Sequence, residues 1–426
     1  MPRVSVAPAS ALIDVPRTIR LEGFAPDAVV TVTATAPHGD GSLWESGAQF
    51  RSDATGTLDI TTAAPLAGSY DGVSPMGLVW SQAQKTPPSS GVSVAPIAIR
   101  ITADDGIGGH AEMVLEQHYM APGVTRREVR EDGLVGTLFL PPGPGPHPAV
   151  MVLNGSGGGI NEPRGALYAS RGYAALALGY FKAPGLSDYI SNTPLEYFVR
   201  GMEWLRRAVR PKHDFVALSG QSRGGELVLL LGSMFPDAVS AVVAYVPGAV
   251  VHSAQSAADP ATGREGPTWT WQGRPLPHLW ENNRTATWKP YDEAPSPRRH
   301  AAAVATALDD PDAVARARIA VERIRGPVLL LSATDDGSWP STRYSEMVAD
   351  TLRRSKHPWP VRHLAFTGGG HAIVFPYVPT TEIARPHPVS RILTTGGGTP
   401  AINARANEES WAAVQAFLAE AVAARG

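Results

Sequence analysis

Leu218-Ser219-Gly220-Gln221-Ser222-Arg223-Gly224-Gly225 sets a serine inside Gly-x-Ser-x-Gly, between an apolar run and an amphipathic one. Asp214-Phe215-Val216-Ala217-Leu218 before it reads as a short buried strand, and Glu226-Leu227-Val228-Leu229-Leu230-Leu231 after it reads as a buried helix. That context predicts a nucleophile elbow, a sharp strand-to-helix turn whose flanking glycines remove clashing Cβ atoms and leave the serine Oγ exposed above a sheet. Ser222 is the expected attacking residue. Glycine supplies 43 of 426 residues, so the pattern alone has little weight and its neighbours carry the reading.

Working outward from the elbow, strands and helices alternate. Strands are expected at Ala149-Val150-Met151-Val152-Leu153, Tyr173 to Leu178, Ala241 to Tyr245, Val328 to Leu331 and Val361 to Phe366. A helix is expected from Leu195 to Val209, where Leu195, Phe198, Met202 and Leu205 recur at helical spacing. This alternation predicts a mostly parallel sheet covered on both faces, with ligands beyond the carboxyl ends of the strands. Residues 1–125 read differently, as short alternating strands such as Thr18 to Leu21, Val29 to Thr33, Gly56 to Ile60 and Ile97 to Ile101. They predict an immunoglobulin-like β-sandwich ahead of a catalytic domain over 126–426. Between about 252 and 326 the rhythm breaks into a Trp- and Pro-rich insert. Its length suggests a lid or binding segment, with Trp269, Trp271 and Trp280 as candidate walls of an acyl pocket.

A serine hydroxyl needs a base, and the base works best when a carboxylate fixes its tautomer. Past two later strands lie Thr334-Asp335-Asp336-Gly337 and Thr367-Gly368-Gly369-Gly370-His371. His371 is the expected general base and Asp336 its orienting acid, with Asp335 as the fallback. His357, His363 and His387 are read as structural or surface imidazoles. An oxyanion forming at the acyl carbon calls for backbone donors, expected from the amide of Arg223 and from the glycine loop at Gly155 or Ser156. The loop lacks the lysine of a phosphate-binding motif.

Composition narrows the partners. Lys plus Arg number 37 against 39 Asp plus Glu, which disfavours nucleic acid and a polybasic membrane patch, and leaves small molecules. With no cysteine there is no disulfide, thiolate metal site or cysteine nucleophile. No cofactor or metal is expected. No run is apolar enough to span a bilayer, and Met1-Pro2-Arg3-Val4 does not open a signal peptide, so a cytoplasmic location is expected. Nothing in the chain sets an oligomeric state.

Taken together, these residues resemble the acyl-CoA thioesterase and bile acid-CoA:amino acid N-acyltransferase family. The likeness spans nearly the whole chain. It includes Tyr70-Asp71-Gly72-Val73-Ser74-Pro75-Met76-Gly77-Leu78-Val79-Trp80, Gly136 through Pro142, Leu195-Glu196-Tyr197-Phe198, Gly224-Gly225-Glu226-Leu227, Asp335-Asp336 ahead of Trp339, and Gly370-His371 ahead of Ile373. The resemblance implies a small β-sandwich before an α/β-hydrolase domain. It also implies a triad of Ser222, Asp336 and His371 attacking an acyl thioester, with coenzyme A as part of the substrate. Relatives divide between serine and cysteine at the nucleophile, and serine leans toward water as the acceptor. Transfer to an amine or hydroxyl, an ester or lactone hydrolase, and a non-catalytic binding module are the alternatives. Arg223 stands where the family usually has lysine, and Val374 and Phe375 stand where an acid is expected. These departures leave the acyl group and its carrier open.

Overall fold

Ala149–Leu153 carries no polar side chain on either face, which suits a strand covered from both sides. In the computed structural model, which describes residues 1–426, it lies inside an eight-stranded sheet. The strands are β1 (Thr125–Val129), β2 (Val135–Leu140), β3 (Ala149–Leu153), β4 (Ala174–Gly179), β5 (Val216–Gln221), β6 (Ala241–Tyr245), β7 (Val328–Ala333) and β8 (Val361–Phe366). Their order across the sheet is β1-β2-β4-β3-β5-β6-β7-β8. β2 alone runs opposite to the other seven strands.

Helices α1 (Glu162–Ser170), α2 (Glu196–Val209), α3 (Arg223–Met234) and α4 (Ser341–Arg354) follow β3, β4, β5 and β7. Asn161 caps α1 by accepting from the Arg164 amide, and Tyr197, Phe198, Met202 and Leu205 form the buried stripe of α2. Leu153, Leu178, Leu218 and Leu330 are fully or almost fully buried between the helical layers. Truncating any one of them to alanine should cost about 2–5 kcal/mol. This is the α/β-hydrolase fold.

The strand order explains where a site can form. From β3 the chain crosses to β4 on one side, then returns to β5 on the other, so β3 and β5 are neighbours whose connections leave in opposite directions. A crevice opens beyond the carboxyl ends of two such strands. The glycine loop follows β3 and the elbow follows β5, so both motifs arrive at that crevice.

Two compact units divide the chain. The one just described comprises Pro122–Ile373, Ile383–Gly398 and Ser410–Gly426; the other comprises Met1–Ala121 with Val374–Glu382 and Thr399–Glu409. The returning segments belong to this first, β-rich unit because they bond to it. Thr380 and Thr381 donate to the carbonyls of Trp80 and Gln82, and Gln117 Nε2 donates to the Tyr377 carbonyl. Its strands form a sheet of three and a sheet of seven, and Val29–Pro37 and Ile97–Asp104 alternate buried and exposed residues as read. The strand expected over Gly56 to Ile60 shrinks to Leu58–Asp59. Asp53 Oδ1 accepts from the amides of Thr55 and Thr57, holding the chain there in a turn. In the Tyr70 to Trp80 motif a Cβ on Gly77 would lie 2.2 Å from the Tyr70 ring, so the packed tyrosine excludes any larger residue.

Candidate active site

The elbow is built by close approach. Ser222 has φ 59 and ψ −118, a left-sided conformation costing about 1–3 kcal/mol, and its amide donates to the Tyr245 carbonyl at 2.8 Å. A Cβ on Gly220 would sit 2.0 Å from the Gly224 carbonyl oxygen, and one on Gly224 would sit 2.5 Å from the carbonyls of Leu153 and Asn154. Both glycines of Gly-x-Ser-x-Gly are therefore forced by backbone contact. Helix α3 starts at Arg223, one residue past the serine, rather than at Glu226, and β5 starts at Val216 because His213 and Asp214 form a turn with positive φ.

His371 and Asp336 meet this serine. His371 Nδ1 lies 2.8 and 2.9 Å from the two carboxylate oxygens of Asp336, and Nε2 lies 2.7 Å from Ser222 Oγ. An ionised carboxylate only accepts, so Nδ1 carries the proton and the lone pair of Nε2 faces the serine hydroxyl. The Asp336 side chain is 1 % exposed and also accepts from the amides of Ser338 and Trp339. Asp335 points elsewhere, accepting from Arg299 and from the Gly398 amide. Burial alone would raise its carboxyl; those two donors hold it below the usual range. The His371 amide donates to the Gly396 carbonyl, and a Cβ on Gly370 would lie 2.0 Å from the Gly397 carbonyl, so residues 396–397 clamp the histidine loop.

The oxyanion donors expected from the sequence lie around the same serine. Arg223 is the first residue of α3, and the first amides of a helix have no intrahelical acceptor. On the β3 side a Cβ on Gly155 would stand 3.6 Å from Ser222 Oγ, so this loop touches the serine. The Gly155 amide already donates to Asn154 Oδ1 at 3.0 Å, which leaves Ser156 as the loop residue better suited to supply a donor.

Behind the elbow lies a cluster that the sequence reading missed. Glu226, fully buried, accepts from Arg223, His252 Nδ1 and the Trp269 indole. Burial would raise its carboxyl, yet the Arg223 guanidinium and these donors bring it below the usual range. Burial pushes His252 down, so the ring is neutral and its Nε2 accepts from the Tyr344 hydroxyl. The signal was present in Gly224-Gly225-Glu226-Leu227, where an acid interrupts an apolar helix.

A cavity of about 50 Å³ opens against Ser222 and Arg223. Its wall includes Ser156 from the glycine loop, Gln255, Ser256 and His300 from the insert, Trp339 beyond Asp336, and His387. Trp269, Trp271 and Trp280, expected as walls of an acyl pocket, are not on the wall of this cavity. Trp269 is fully buried against Tyr180 and Phe198, its N–H taken by Glu226; Trp271 packs on Phe235; Trp280 stacks on Trp288 with ring centroids 4.1 Å apart. Large rings with few polar atoms serve as core here, and the cavity goes to Trp339, whose edge meets the His371 ring at 5.9 Å. His387 is also more than a tail residue, since its Nε2 lies 3.1 Å from Ser156 Oγ. His363 and His357 keep structural roles, bonded to Ser332 Oγ and the Gly326 carbonyl.

Known sequences share this arrangement of regions. A family profile described as BAAT / Acyl-CoA thioester hydrolase C terminal matches residues 193–424, and one described as Acyl-CoA thioester hydrolase/BAAT N-terminal region matches residues 14–131. The chain belongs to the acyl-CoA thioester hydrolase/BAAT family. It is 32 % identical over 419 residues to human acyl-coenzyme A thioesterase 2, mitochondrial, covering 95 % of this chain and 81 % of the relative. It is also 32 % identical over 433 residues to mouse acyl-coenzyme A thioesterase 5, covering 98 % and 96 %. Among solved structures, an arylesterase aligns with a TM-score of 0.40 at 15 % identity, over 71 % of this chain and 86 % of that one. Within the acyl-CoA thioester hydrolase/BAAT family match, Ser222, Asp336 and His371 all fall in the C-terminal region, whereas Gly155 and Ser156 fall between the two matched regions. No helix is long and apolar enough to cross a membrane.

Proposed function

We propose that this chain hydrolyses an acyl thioester, of coenzyme A or a similar carrier, through an acyl-enzyme on Ser222. The observation that carries the reading is the unbroken row from Ser222 Oγ through His371 Nε2 and Nδ1 to the buried carboxylate of Asp336. His371 takes the serine proton as Oγ attacks the thioester carbon, and Asp336 steadies the imidazolium that forms. The amides of Arg223 and Ser156 donate to the developing oxyanion. Collapse breaks the carbon–sulfur bond, and the proton held on His371 goes to the departing thiol. Water, deprotonated by His371, then attacks the acyl-enzyme and regenerates the serine. Side chains and backbone amides perform each step, and coenzyme A enters as part of the substrate. Family membership and the serine at a position where relatives also carry cysteine support water as the acceptor.

The test pairs labelling with turnover. Wild type should take up one equivalent of a fluorophosphonate on Ser222 and release thiol from acyl-CoA, and Ser222→Ala should lose labelling and about 10⁴–10⁶-fold in kcat. Hydrolysis by Ser222→Ala at the wild-type rate would sink the reading. Matched esters hydrolysed in preference to thioesters would move the substrate to the ester class.

A further inference from the structure

Most of the side chains around the cavity against Ser222 carry hydrogen-bonding groups, although the surface they expose is apolar as well as polar. Trp339 is the one apolar side chain on a wall that otherwise presents serines, threonines, an amide, imidazoles and Arg223. We propose that the acyl group delivered to Ser222 is short and oxygen-bearing, a hydroxyacyl or oxoacyl thioester, recognised by Ser156 and Ser256. This rests on the thioesterase reading above and specifies its substrate class.

Two features of the wall support it. His387 Nδ1 accepts from the amides of Val389 and Ser390, so it carries no proton. Burial pushes this imidazole down to about 4, and a neutral ring with a bare Nδ1 holds its proton on Nε2. Nε2 therefore donates to Ser156 Oγ at 3.1 Å, which leaves the Ser156 hydroxyl proton to point at an acceptor. Ser156 is next to Gly155, where a Cβ would lie 3.6 Å from Ser222 Oγ, so that acceptor belongs near the reacting carbonyl.

Gln255 is held from behind the wall. Its Oε1 accepts from Arg223 at 3.2 Å, and its Nε2 is buried with no partner. That amide nitrogen has almost no accessible surface, so Gln255 steadies Arg223 and leaves contact with a ligand to the two serines. Ser256 Oγ and His300 Nε2 lie 2.9 Å apart, so one donates to the other, and burial holds His300 down at about 3. This pair adds a further polar group to the wall.

A long alkyl chain is disfavoured here on two counts. The cavity has about 50 Å³, against the several hundred typical of pockets that enclose larger ligands. Each polar wall group stripped of water without a replacement bond also opposes binding, and methylenes supply none. An oxygen on the acyl chain supplies the missing acceptor.

Thiol release measured over butanoyl-, octanoyl-, hexadecanoyl-, 3-hydroxybutanoyl- and 3-oxobutanoyl-CoA tests this on the full chain. The oxygenated four-carbon substrates should exceed butanoyl-CoA in kcat/KM by at least about tenfold, and hexadecanoyl-CoA should be the poorest. In Ser156→Ala and Ser256→Ala, that ratio should fall toward one, a loss of about tenfold or 1.4 kcal/mol per hydrogen bond. Fluorophosphonate uptake by each variant reports an intact elbow independently of the acyl group. Equal or better turnover of the unsubstituted chains by wild type overturns the proposal and leaves thioester hydrolysis standing. A preference for oxygenated substrates that survives in both labelled variants overturns the assignment to this wall. Failure to cleave any thioester while Ser222 still labels overturns the thioesterase reading, and this proposal falls with it.

Discussion

Two histidine–carboxylate pairs sit close to the elbow, and at first sight they are the same device. His371 Nδ1 meets Asp336 at 2.8 Å, and His252 Nδ1 meets Glu226 at 2.8 Å. The difference lies at the other ring nitrogen and in the charge balance. His371 Nε2 ends on Ser222, a residue of the cavity wall, whereas His252 Nε2 ends on the buried Tyr344 hydroxyl, and Arg223 already neutralises Glu226. The first row is open at one end to a substrate. The second is closed on itself, with its imidazole stacked on Trp339 at 4.7 Å. A histidine bonded to an acid is thus a base only where its second nitrogen faces a group that must lose a proton, and elsewhere it is a strut.

The sharpest way to break this contrast is to remove each carboxylate in turn. Asp336→Asn keeps the shape but favours the wrong imidazole tautomer, so kcat should fall by about 10³–10⁴-fold with little change in melting temperature. Asp335→Asn, whose carboxylate bonds Arg299 and Gly398 instead, should change kcat less than about threefold. Steady-state kinetics on both variants decides it, and an equal loss from the two would erase the distinction between neighbouring acids.

Glu226→Gln should behave in the opposite sense. Arg223 is 2 % exposed, and without the carboxylate its charge is left buried and uncompensated, which costs about 3–5 kcal/mol. The expected result is a large drop in unfolding free energy by denaturant titration. kcat per fluorophosphonate-reactive site should stay within about tenfold of wild type. A variant as stable as wild type but inactive would show that the closed cluster takes part in the chemistry.

The open row was legible in the chain because each member follows a strand, and strands announce themselves as apolar runs. Ser222 follows β5, Asp336 follows β7 and His371 follows β8. The parallel sheet then carries all three to one edge. The choice between Asp335 and Asp336 depends on which way adjacent side chains turn, and that is fixed by Arg299 and Gly398, partners far off in the chain. The closed cluster and the cavity wall were harder to see for the same reason. His387 lies 231 residues from Ser156 and no local pattern joins them. The tryptophans were ambiguous because a ring in an insert can fill core or line a pocket, and Trp269 is held by a buried carboxylate in α3.

The smallest effect concerns histidines that have no carboxylate at all. His387 faces Ser156 on the cavity wall, with Arg385 and Lys182 adding to the burial that holds it down at about 4. In the unfolded chain it titrates near 6.5, so between about pH 6.5 and 4 the unfolded state binds the additional proton. Stability from this group is therefore full above pH 6.5 and is lost as pH falls toward 4. The slope is up to about 1.4 kcal/mol per pH unit. Melting curves at pH 7, 6, 5 and 4.5 should show wild type losing stability faster than His387→Phe, by about that slope. His252, also lowered by burial, acts in the same direction and remains in both proteins, and His300, which His387 helps to hold down, adds its own change to the difference between the curves. Parallel curves would mean that His387 is charged or solvated in the folded state, and the neutral donor to Ser156 would be lost with it.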